Sequence, residues 1–241
     1  MKYQHTYKRF GERAILIEWP LLIDNNILQD VINFKKALQK SNIKQIVEIN
    51  STYNSLCVIY DFTIENINDK ILELKSLYLP VQSNYQSATK IWHIPVCYDD
   101  EFAIDIDELS KQKQLSKPEI IKRHTEPLYT VYFIGFLPGF LYLGGLDTSL
   151  HTNRKSSPNL NIKKGAVGIG GQQTGIYPQD CPGGWHIIGN SPIDFFNSNS
   201  AKPCFASAGD RIKFDQISLP DYLRIEKNIK DNSYKLKTSM L

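Results

Sequence analysis

Cysteine is scarce and scattered in this chain. Its 241 residues include four, Cys57, Cys97, Cys181 and Cys204, with no C-x-x-C pair among them. That argues against a zinc ribbon or a disulfide framework and suits a reducing cytosol. No metal site is read from the sequence. Blocks of one charge are missing too: 28 basic and 25 acidic residues interleave to a net charge of +3, which leaves no electrostatic footprint for nucleic acid or an anionic membrane. No unbroken run of roughly 18 apolar residues is present to cross a bilayer. The opening "MKYQHTYKRFGERA" has no apolar core of a secretory signal, so a cytoplasmic protein is expected.

What is present is periodicity. "RAILIEW" (13–19) reads as a strand, and Leu28, Val31, Phe34 and Leu38 then fall at helical spacing. Two strands, "KQIVEIN" and "SLCVIYD", follow, then a helix over about 67–77 and the strand "TKIWHIPV". The order β-α-β-β-α-β is that of a ferredoxin-like domain, a fold that hosts many functions. The polar segment 81–90 reads as a linker, although the strand near Ile91 suits either side of it. Beyond it, 105–111 reads as a short helix, and Ser116-Lys-Pro-Glu119 is a capping box that opens another, ending near His124. From Tyr129 onward short extended stretches alternate with Gly, Pro, Asn and Ser, the pattern of a closed β domain.

Two glycine-rich stretches stand out. Ile134 to Leu146 is uncharged but broken by four glycines and Pro138, so it reads as a strand, a turn at Pro138-Gly139 and a second extended piece rich in aromatics. Residues 165–192 hold eight of the 14 glycines. A phosphate loop would need Lys and then Ser or Thr after Gly170, where Gly171 and Gln172 stand, and no G-x-G-x-x-G pattern fits. Those glycines serve either barrel corners or a pocket for a small polar ligand, the second favoured by nearby Gln172, Gln173, Thr174, Tyr177, Trp185 and His186.

"FIGFLPGFLYLGGLD", "GGQQTGIYP", "CPGGWHIIG" and "AGDRIKF" together resemble the family that contains the B subunit of bacterial 5-oxoprolinase, the sporulation-kinase inhibitor KipI and the subunit 1 region of allophanate hydrolase and urea carboxylase enzymes. The resemblance implies an α+β protein: a ferredoxin-like domain over 1–85, then a cyclophilin-like β-barrel domain over 86–241. It also implies a subunit inactive alone, which works with A and C subunits in a hetero-oligomer to hydrolyse 5-oxo-L-proline, a small cyclic amide, to L-glutamate at the expense of ATP. ATP would be held by the complex rather than by this chain alone. The alternatives it leaves are inhibition of a sensor histidine kinase and action on urea or a related amide. Relatives usually carry Pro-Arg pairs where this chain has Asn153-Arg154 and Pro158-Asn159, and an arginine where it has Asn190. Losing guanidinium forks weakens bidentate recognition of a carboxylate.

Single residues carry two readings each. Arg154 is either the anchor for the 5-oxoproline carboxylate or a solvated loop cation. His186 is either a general acid or base or a hydrogen-bonded strand residue. Gln172, Gln173, Thr174, Tyr177, Trp185 and Asn190 are candidates to bind substrate, and Phe136, Gly139 and Phe140 to form the pocket or a partner surface. His124, at a helix end, reads as a cationic cap. Cys181 lacks an orienting third group and is not favoured as a nucleophile.

Overall fold

The computed structural model describes residues 3–41, 43, 45–79 and 89–240. The chain divides into two compact units, Met1–Ser87 and Ala88–Leu241. The expected linker at 81–90 lies, but for its last two residues, outside the described residues.

In the first unit, β1 (Thr6–Arg9) and β2 (Ala14–Glu18) lead into α1 (Asn25–Lys40), followed by β3 (Ile46–Ser51), β4 (Ser55–Tyr60) and α2 (Ile67–Ser76). Asp24 caps α1 by accepting N–H bonds from Asn26 at 2.8 Å and Ile27 at 3.1 Å. The apolar stripe read from the sequence is its buried face: Leu28, Val31, Phe34 and Leu38 are all buried, and the helix packs on Ile15 and Ile17 of β2 and Leu56 and Val58 of β4. Asp30 lies on that face too. Its carboxylate accepts from the Trp19 indole and the Tyr78 hydroxyl, each at 2.8 Å. Burial pushes its pKa up, but bonds from His5, Trp19 and Tyr78 outweigh that and hold it below the ordinary value.

The sheet order is β1-β2-β4-β3, antiparallel throughout. The edge place beside β2 is therefore taken by the N-terminal β1, not by the strand near Ile91 that would complete a β-α-β-β-α-β set. That strand, β5 (Lys90–Cys97), pairs within the second unit.

The second unit continues with α3 (Ile106–Lys113) and α4 (Lys117–Thr125), then β6 (Tyr129–Ile134), β7 (Leu141–Gly144), β8 (Asn159–Ile162), β9 (Ala166–Gly170) and β10 (Gln173–Ile176). After these come β11 (Cys181–Gly183), β12 (His186–Asn190), β13 (Arg211–Ile217), α5 (Leu219–Lys230) and β14 (Thr238–Met240). Pairing runs β12-β9-β10-β7-β6-β13-β5, and β5 returns to β12 where Cys97 faces Asn190, so seven strands close a barrel. Closure leaves those strands no open edge. Inside, Ile94, Val96, Val131, Leu141, Leu143, Val167, Ile169, Ile188 and Phe214 form one core. The capping box at Ser116 and Glu119 forms with both bonds in place. No described helix is long and apolar enough to cross a membrane.

Candidate functional site

The turn between β6 and β7 builds one lip of a cleft. It closes with Gly135 N–H on Phe140 O at 3.2 Å and Phe140 N–H on Leu137 O at 3.0 Å. Phe136 takes φ +68° there and stands 63% exposed; for a bulky residue that left-handed backbone is strained. Its ring meets the buried Phe140 edge-on at 5.6 Å. Phe140 in turn meets Tyr177 at 5.2 Å and Trp185 at 5.5 Å, both near perpendicular, the arrangement that the ring quadrupoles favour. Phe136, Phe140, Tyr142, Tyr177, Trp185 and the Pro182–Gly184 backbone surround a space of about 270 Å³.

Many of the glycines make room for these rings. A Cβ at Gly170 would stand 2.5 Å from Trp185 Cδ1, one at Gly168 3.1 Å from Trp185 Cβ, and one at Gly183 2.4 Å from the Tyr177 hydroxyl. The glycine-rich strands are thus packed against aromatic walls.

Arg154 is the sole charged side chain among the described residues lining the cleft, and its guanidinium carbon lies 5.8 Å from the Trp185 ring centroid, within cation–π range. The segment that carries it is tied down on both sides. Thr152 and Gly171 exchange backbone bonds of 3.0 and 2.6 Å, Lys155 N–H donates to Gly184 O at 2.7 Å, and His186 Nε2–H donates to Asn153 O at 3.1 Å. Lys155 Nζ pairs with Asp105 and approaches Glu108 at 3.5 Å. Burial works against the Lys155 charge, but Asp105 and Glu108 override it and leave its pKa above the ordinary value.

The other candidates part company here. His186 is buried in β12 and does not line the cleft; its bond to Asn153 makes it a support for the Arg154 segment. Thr174 is fully buried. Its hydroxyl donates to Gly168 O at 3.0 Å and so accepts from His124 Nε2–H at 2.8 Å, which leaves His124 Nδ1 to accept from the Tyr98 hydroxyl at 2.8 Å. This chain fixes a neutral imidazole. Burial drives the His124 pKa down to about 3, so the cationic helix cap expected of His124 is wrong: desolvation outweighs the helix dipole. Gln172 lines a separate polar pocket of about 380 Å³ beside Lys113, His151 and Asn153, while Gln173 is half-buried in the β10 ladder opposite Gly170. Gly139 needs its φ of +87°, but a Cβ there would meet Phe195 O at 2.9 Å and Phe196 Cβ at 2.8 Å, a neighbouring segment and not the cleft. Burial, then Asp180, raises the Cys181 thiol pKa, the wrong direction for a nucleophile. Among the described residues no three His, Cys, Asp or Glu side chains converge to hold a metal ion.

Residues 5–206 match the family model described as carboxyltransferase domain, subdomain C and D. The chain is 33% identical over 235 residues to the B subunit of 5-oxoprolinase from Bacillus subtilis, covering 92% of this chain and 97% of that protein. It is 41% identical over 179 residues to the Haemophilus influenzae protein of the same name, covering 74% and 83%. The crystal structure of Kluyveromyces lactis urea carboxylase superposes on all of this chain and 24% of that one with TM-score 0.85 at 17% identity, a likeness of fold. The chain belongs to the family of 5-oxoprolinase B subunits.

Against that family the two asparagine departures gain a physical meaning. Asn159 opens β8, and its side chain accepts from Asn161 N–H at 2.9 Å, closing a local turn. Asn190 is 5% exposed; its amide donates to Lys164 O at 2.9 Å and its oxygen accepts from the Tyr222 hydroxyl at 2.9 Å. It ties α5 to the barrel wall and does not line the cleft. Two residues that sequence reasoning missed, Asp105 as an ion-pair partner and Lys155, belong to the site's support.

Proposed function

We propose that this chain is the B component of an ATP-dependent 5-oxoprolinase, in which the aromatic cleft receives 5-oxo-L-proline. The observation that carries the reading is a single guanidinium at the mouth of an otherwise aromatic and uncharged space. The substrate has the matching parts: one carboxylate, which a guanidinium fork binds in two-point fashion, and a flat five-membered ring, which slides against Trp185 and Tyr177. A volume of about 270 Å³ suits a molecule of that size at the lower end of ligand pockets.

The ring amide is a poor electrophile, and ATP supplies its activation. Gly165 to Gly170 is not followed by the Lys and Ser or Thr of a phosphate loop, and Trp185 fills the space beside Gly168 and Gly170, which supports the reading that ATP is held by the complex rather than by this chain alone. The chain's own share is binding and orientation: Arg154 fixes the carboxylate, the rings exclude water from one face, and the Lys155 and His186 contacts keep Arg154 still. Orientation of that kind is a large part of what such an enzyme must provide. The A and C components of the enzyme are the expected partners in this reading.

The test is reconstitution. ATP hydrolysis dependent on 5-oxoproline should need this chain together with the A and C components, should be absent with the single chain, and should not respond to urea. Turnover by the purified chain alone, or a response to urea in place of 5-oxoproline, overturns the reading.

A further inference from the structure

Asp105 precedes α3 in the N-cap position, yet its side chain makes no capping bond, although aspartate there ordinarily does. The carboxylate is turned inward, 6% exposed, and its two oxygens go to two different pieces of chain. One accepts from the Ile187 backbone N–H at 2.8 Å. The other pairs with Lys155 Nζ. Ile187 O closes the first connection by accepting from Asp105 N–H at 2.9 Å.

These pieces are the ones that hold the cleft's two key side chains. Lys155 adjoins Arg154, and Ile187 lies two residues from Trp185 in the extended chain leading through β12. A buried ion pair is weak evidence of a stabilising role, since desolvation offsets the attraction. Its geometric effect is definite: one rigid carboxylate ties the Arg154 segment to the Trp185 strand.

We propose that Asp105, acting through Lys155, is a positioning residue that fixes the Arg154 guanidinium against Trp185 and thereby sets the affinity of the cleft for a carboxylate ligand. Its effect on affinity rests on the reading of Arg154 as the carboxylate anchor; the clamp itself does not. Asp105→Asn separates the two bonds, because the amide oxygen still serves Ile187 N–H while the amide N–H₂ faces the Lys155 ammonium, donor to donor. Lys155→Met removes the same ion pair from the other side and keeps the aliphatic stem.

The experiment has two readouts on Asp105→Asn, Lys155→Met, Lys155→Arg and Arg154→Ala. The first is the indole N–H resonance of Trp185 in the purified chain, which reports the guanidinium beside it without any substrate. Asp105→Asn and Lys155→Met should shift it in the direction that Arg154→Ala does, and Lys155→Arg should leave it near the wild-type position. The second is steady-state kinetics of the reconstituted complex with 5-oxoproline, where the first two variants should raise KM roughly tenfold with kcat within about twofold, the sign of lost ground-state binding. If Asp105→Asn fails to fold, Lys155→Met decides. An unmoved Trp185 resonance in folded Lys155→Met overturns the clamp. A moved resonance with unchanged KM in Arg154→Ala keeps the clamp and overturns the carboxylate reading instead.

Discussion

The Arg154 guanidinium sits 5.8 Å from the centre of the Trp185 ring, so the sole charged side chain among the described residues of the cleft is held over an aromatic face. If that charge receives a carboxylate, Arg154→Ala removes a charge-assisted pair of hydrogen bonds. Such bonds are worth ~1.5–3 kcal/mol, so KM for 5-oxoproline should rise roughly 10- to 100-fold. Arg154→Lys should recover only part of it, because an ammonium lacks the planar fork. Stability should hardly change, since Arg154 is exposed. Kinetics of the complex and a thermal melt of each variant check both halves.

Trp185 itself cannot be truncated quietly. It is 3% exposed and fills the room above Gly168 and Gly170 while touching Phe140, Tyr142 and Tyr177. Trp185→Ala should therefore cost about 3–5 kcal/mol, whatever it does to binding. Trp185→Phe, which keeps a ring, is the better probe of the cleft. A melt of Trp185→Ala that matches wild type would show that the ring is not packed as described.

Gly139→Val tests the turn. Its φ of +87° disfavours any side chain, and a Cβ would strike Phe195 O and Phe196 Cβ. Strain of ~1–3 kcal/mol plus this collision should lower the melting temperature and disturb the 195–196 segment. Because the contact is with the chain's own backbone, activity lost here should track stability. A folded, fully stable Gly139→Val with lost binding would instead put Gly139 at the ligand.

These cases show what the sequence carried. Periodicity exposed β2, α1, β4 and the Ser116 capping box, because each is written in residues a few positions apart. Sheet order is not local, so "TYKR", with no apolar alternation, gave no sign that β1 would take the edge beside β2. The α5 helix has a readable start, Ser218 and Pro220 ahead of Asp221. In the cleft, residue types pointed to Tyr177, Trp185 and Phe140, and the family resemblance to Arg154. They could not tell a glycine that faces a ligand from one that faces a tryptophan. Nor could they show that Asp105 meets a lysine fifty positions away, or that Thr174 points inward to His124.

His124 gives the stability a pH dependence of known sign. Its folded pKa is pushed down to about 3 against an ordinary 6.5, so below about 6.5 the unfolded chain binds a proton that the folded chain refuses. Stability is fully present above that pH. It is lost as pH falls toward about 3, by at most ~1.4 kcal/mol per pH unit, and the loss then levels off. His124→Gln should melt lower at neutral pH but fall less between pH 6.5 and 4. Parallel slopes for the two proteins would place the proton uptake elsewhere.

Asn190 decides whether an arginine belongs at that position in this chain. Its side chain is enclosed by the Lys164 carbonyl, the Tyr222 hydroxyl and the Gly165 backbone, where a Cβ on Gly165 would already lie 2.3 Å from the Asn190 oxygen. Asn190→Arg would remove the acceptor for Tyr222, at ~1–3 kcal/mol for an unsatisfied buried group. It would also bring a bulkier guanidinium into that enclosed place, where a buried charge costs several kcal/mol unless it finds a partner. The variant should melt lower and leave KM for 5-oxoproline no better than wild type. Asn190→Asp keeps the oxygen for Tyr222 and loses the amide bond to Lys164 O, so it should fall between the two. A stable Asn190→Arg with a lowered KM would mean that this side chain reaches the ligand, and the α5 tether would then be the wrong account of it.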